Sequence, residues 1–66
     1  MNAYQKIIHE IAPDLDPQAV EASMRLQYGT LNHLPREVFV EECWIARACE
    51  AEQPGYLEDV KRTMGY

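Results

Sequence analysis

Most of the usual markers of function are missing from this chain. No stretch approaches the roughly 20 apolar residues of a membrane span. The start, Met1-Asn2-Ala3-Tyr4-Gln5-Lys6, lacks the basic opening and apolar run of a secretory signal, so a cytoplasmic protein is expected. No segment alternates apolar and polar residues over strand length, and Val38-Phe39-Val40 is bracketed by helix-forming charges. There are no repeats, low-complexity runs or linkers. The 66 residues make a single domain, 1–66, whose small core invites support from a disulfide, a metal or self-association.

Cysteine and histidine are scarce, and their spacing argues against the first two supports. Cys43 and Cys49 fall in one predicted helix, separated by about 9 Å along its axis and pointing about 120° apart. An intrahelical disulfide needs alpha carbons within about 7 Å, so two free thiols in a reducing compartment are expected. They lack CxxC spacing, and His9 and His33 do not form a pair one helical turn apart, so no metal site is expected. Glu41 and Glu42 precede Cys43, and Glu50 follows Cys49. Nearby carboxylates raise a thiol pKa, which is the wrong setting for a nucleophile. No catalytic residue and no cofactor are called.

Basic residues are few as well. Six Lys and Arg face eleven Asp and Glu, for a net charge of −5. Excess acid repels phosphate and most often serves solubility, although it also suits docking onto a basic partner.

What the chain does contain is helix punctuation. Tyr4, Ile7, Ile8 and Ile11 keep the spacing of an amphipathic helix that Pro13 ends. Asp16-Pro17 is an N-cap followed by proline at the first helical position. That second helix runs to Tyr28, with Val20, Met24 and Tyr28 on its inner face, and Gly29 closes it. Leu31 and Leu34 pack beneath the helices from a short connector. A third helix spans Pro35 to Glu52, with Glu37 in its first turn. Gln53-Pro54-Gly55 interrupts the chain, and Tyr56, Leu57, Val60 and Met64 mark a short last helix closed by Gly65. The fold expected is all-α, a compact bundle of three main helices plus a short fourth.

The third helix has more apolar surface than one core can use. Phe39, Cys43 and Ala46 lie along one side, while Val40, Trp44, Ala48 and Ala51 run along another. A surface helix of a small domain needs one apolar stripe, so the second must be covered by another helix or by another molecule. Periodicity alone leaves open whether Trp44, the only tryptophan, faces the core. Trp is enriched among binding hot spots, and a non-catalytic protein-interaction face is therefore expected. Val40, Trp44, Ala48 and Ala51 would form its apolar part, with Glu41 and Arg47 at its rim. Glu37, Glu41 and Glu42 read as solvated surface or as part of that face. A homodimer through the same face is the first alternative. The second is a small DNA-binding regulator, which would need Arg25, Arg36, Arg47, Lys61 and Arg62 to converge; five glutamates on the would-be recognition helix oppose it.

From Met24-Arg25-Leu26-Gln27-Tyr28-Gly29-Thr30 through Leu31-Asn32-His33-Leu34-Pro35-Arg36-Glu37, the chain resembles small proteins of bacteriophages and prophages. Pro54-Gly55-Tyr56-Leu57 and Met64-Gly65 extend the resemblance over roughly the last two-thirds of the chain. That group carries no assigned activity or site. What the resemblance implies is an accessory or inhibitory protein in a bacterial cell, with a phage or host protein as partner.

Overall fold

Asn2 opens the first helix, α1 (Ala3–Ile11), with a capping box: Asn2 Oδ1 accepts from the Gln5 N–H at 2.8 Å, and Gln5 Oε1 accepts from the Asn2 N–H at 3.3 Å. The computed structural model describes residues 1–66. Ala12 ends α1, since the residue before Pro13 is pushed out of helical geometry. Asp16 caps α2 (Pro17–Tyr28), its carboxylate accepting from the Gln18 N–H at 3.0 Å. Gly29, at φ 79°, turns the chain out of that helix into a backbone region that other residues rarely enter.

Pro35 is the N-cap of α3 (Arg36–Glu52) and is extended at ψ 161°, so the helix begins one residue later than expected. The cap of α4 (Tyr56–Thr63) comes from outside that helix. Gly55 has no side chain to offer, and Glu50 of α3 supplies the missing acceptors. Its two oxygens accept from the Gly55 N–H at 2.9 Å and the Leu57 N–H at 3.0 Å. Those two bonds also hold the Glu50 carboxyl below its ordinary pKa.

The fold is all-helical, with four helices and no strand. The helix α2 packs against the other three; α3 also touches α1 and α4, while α1 and α4 stay apart. Small side chains explain the central place of α2, because Ala19 and Ala22 are fully buried and let its neighbours approach closely. Ile8, Val20, Met24, Leu31, Phe39 and Cys43 fill the interior. Burying each of the larger apolar side chains stabilises the fold by roughly 1.5–3 kcal/mol. Tyr4 stacks on Phe39 with ring centroids 6.2 Å apart, joining α1 to α3.

Leu31 and Leu34 pack from the connector as expected, and Leu15 does the same between α1 and α2. Tyr28 does not line the inner face. It is the last residue of α2, stays 39% exposed, and turns its hydroxyl to donate to Glu42 at 3.0 Å. That bond, and burial after it, push the phenol pKa up. No helix is long and apolar enough to cross a membrane.

Candidate functional site

One side of α3 is spent on the core. Phe39, Glu42, Cys43 and Ala46 are buried there, with Phe39 and Cys43 nearly inaccessible. The opposite side carries Trp44 at 67% exposure, Ile45 at 43%, exposed Ala48 and Ala51, and half-buried Val40. Glu37, Glu41, Trp44, Ala48 and Ala51 follow the three-and-four spacing that keeps residues on one helical line. Trp44 therefore sits at the middle of an apolar strip that no other part of the chain covers. Ile45 widens the strip, although its position on neither stripe had marked it.

The two rim residues behave differently. Glu41 is exposed and has no cation partner. Arg47 reaches across to the connector between α1 and α2, where its guanidinium grips Asp14 in a two-point bond, Nε to Oδ2 at 3.0 Å and Nη2 to Oδ1 at 2.7 Å. The hydrogen bonds from Arg47 lead the causes that lower the Asp14 carboxyl to about 2. Arg47 thus spends its charge inside the chain. Arg36, further up the same flank, lies 3.6 Å from Glu10.

This pairing extends to nearly all the cations. Arg25 is matched with Glu21, Lys61 with Asp16, and Arg62 with Asp59, so the five cations that a DNA-binding reading draws on each face a carboxylate. Lys6 alone has no acidic partner. Among the acids, Glu42 accepts from Tyr28 and Glu50 caps α4. Glu37, Glu41, Glu52 and Glu58 are left with neither a cation nor a hydrogen-bond donor. Three of those four carboxylates are on α3, all of them exposed. Glu42, grouped by sequence with Glu37 and Glu41, is instead 4% exposed and points into the fold.

A second polar constellation escaped the sequence. Glu21, on α2, is 1% exposed and accepts from Gln5 Nε2 at 2.7 Å, from Asn2 Nδ2 at 3.2 Å to each oxygen, and from Arg25 Nε and Nη2 at 3.2 and 3.0 Å. Burial is the largest single influence and pushes its carboxyl up. The bonds from Gln5, Asn2 and Arg25 together outweigh it, and the group ionises below its ordinary value. Arg25 also lies over the Tyr4 ring, 5.6 Å from its centroid. The Tyr66 phenol is raised by burial and then by the Glu21 charge beside it. Glu21 therefore fastens the start of α1 to α2. Two sequence signals bear on it: the Asn2-x-x-Gln5 capping pattern and the Glu21–Arg25 pair at i,i+4.

Cys43 and Cys49 are both free thiols, and burial pushes the Cys43 thiol up. His9 and His33 are exposed. No group of three or more His, Cys, Asp or Glu converges, and no pocket opens on the surface. No family model matches the sequence, and neither a curated protein nor a solved structure matches it.

Proposed function

We propose that this is a non-catalytic protein-interaction domain that docks through the outer face of α3. Val40, Trp44, Ala48 and Ala51 form the apolar anchor, extended by Ile45, and Glu41 stands at the rim. Arg47 has a different part from a free rim charge: it braces the face against the Asp14 connector. The observation that carries this reading is Trp44, 67% exposed at the centre of an uncovered apolar strip on a helix whose other side is buried. Large exposed apolar surface on a small domain marks an interaction site more often than chance, and Trp anchors dominate binding energy where they enter a pocket. In keeping with the resemblance to phage proteins, the partner is a host or phage protein in the bacterial cytoplasm.

Self-association through the same face is the second reading, favoured by the small interior, in which 15 of 66 residues are buried. Site-specific photo-crosslinking separates the two. A photoreactive phenylalanine analogue replaces Trp44 in one variant and Glu58 in another, each expressed in bacteria and irradiated. A discrete adduct of another protein from position 44 and none from position 58 is expected. No adduct from position 44 refutes the docking face, and an adduct of twice the chain mass selects the homodimer.

A further inference from the structure

The charge left over on α3 says what kind of surface covers it. On an ideal helix Glu37, Glu41 and Glu52 lie about 20°, 60° and 80° round from Trp44, all on the flank that Ile45 occupies. Arg36 and Arg47 lie about 80° and 60° round on the other flank. Those arginines are held by Glu10 and Asp14, whereas the three glutamates have no partner in the chain. Open negative charge therefore lines one flank of the apolar strip, on the turns before and after Ile45, while closed ion pairs line the other.

From this asymmetry, and resting on the docking reading above, we infer that the occupant is a different protein with an apolar groove that receives Trp44 and a lysine- or arginine-bearing edge that faces Glu41 and Glu52. A second copy of this chain fits poorly. In an antiparallel two-fold pair the acidic flanks would meet each other, and like charges across an interface cost affinity. In a parallel pair each acidic flank would meet Arg36 and Arg47, already occupied by Glu10 and Asp14. Phosphate backbones are repelled by the same carboxylates.

The test uses the full chain and two labelled synthetic amphipathic helices without tryptophan, one of leucine and lysine, the other of leucine and glutamate. Peptide anisotropy reports binding, and Trp44 emission reports burial of the face itself. The leucine–lysine helix is expected to bind at least about tenfold more tightly, since exposed charge pairs are each worth up to a few-fold in affinity. Trp44 emission should shift to the blue on binding. Trp44→Ala should abolish binding, Glu41→Gln with Glu52→Gln should weaken it about threefold or more, and Glu58→Gln should leave it unchanged. Equal, Trp44-dependent binding of both helices would overturn the charge assignment while leaving the docking face standing. Binding that Trp44→Ala does not alter would overturn both, and so would a failure of the leucine–lysine helix to bind. A chain that dimerises through Trp44 would assign the face to a second copy and overturn the inference.

Discussion

Replacing Glu21 by glutamine keeps the side-chain volume and removes the charge on which Asn2, Gln5 and Arg25 converge. Three consequences follow from the geometry. The Gln5 amide, in a side chain that is 7% exposed, loses a charged acceptor at 2.7 Å and gains at best a neutral one. Hydrogen bonds to charged groups contribute roughly 1.5–3 kcal/mol against about 1 kcal/mol for neutral ones, so this exchange costs about 1 kcal/mol. The new amide N–H₂ also faces donors from Asn2 or Arg25 and loses one of their bonds, at about 1 kcal/mol more. Arg25 keeps access to water, with its side chain 33% exposed, so its lost ion pair adds little. The expected destabilisation is about 2 kcal/mol, a large share of the roughly 3–10 kcal/mol available to a domain of this size. A drop in Tm of about 8–16 °C follows at neutral pH, read by far-UV circular dichroism. Because the folded-state carboxyl ionises below its unfolded value, the stabilisation is complete above about pH 4.5 and fades as pH falls through the folded pKa. The gap between wild type and Glu21→Gln should therefore narrow as pH falls below about 4.5 and on through the folded-state pKa. Equal stability at pH 7, or a gap that does not change with pH, would refute the reasoning.

Glu50→Ala should fray the start of α4 without unfolding the rest, seen as faster amide exchange at Gly55 and Leu57 while Phe39 and Cys43 stay protected. Protection lost equally across the chain would contradict that local role. Phe39→Ala removes the ring that Tyr4 stacks on and should cost about 3–5 kcal/mol, enough to leave much of the population unfolded in a urea titration. Under native conditions a thiol reagent should modify Cys49, which is partly exposed, well before Cys43, which is buried with a raised thiol pKa. Equal rates would mean that the α3 core side opens readily. Trp44→Ala should leave stability within about 0.5 kcal/mol of wild type, because the indole is 67% exposed; a larger loss would make Trp44 part of the core.

Local chemistry made the helices readable. Asp16-Pro17, Gly29 and Gln53-Pro54-Gly55 act within a few residues of where they stand, and their breaks appear where the spacing predicts them. The inner stripe of α3 was legible for the same reason, since Phe39, Cys43 and Ala46 have one consistent period. Trp44 was ambiguous because both sides of α3 are apolar, and periodicity cannot rank two stripes; only the placement of α1, α2 and α4 decides it. The polar contacts were hidden by distance along the chain. Arg47 and Asp14 are 33 positions apart, and Lys61 and Asp16 are 45 apart, so no local pattern joins them. Glu42 and Glu21 look like ordinary surface acids until the partners that bury them, Tyr28 for one and Asn2 with Gln5 for the other, are in place.

The docking face exists only if Trp44 is open to water in the isolated chain. Its emission maximum and its quenching by acrylamide, recorded on a sample whose mass is followed by light scattering over a wide concentration range, test that directly. We predict a monomer whose tryptophan emits as a hydrated indole and is quenched freely at every concentration. A blue-shifted, protected tryptophan in a monomer would place Trp44 in the core, and protection that appears with dimerisation would give the face to a second copy.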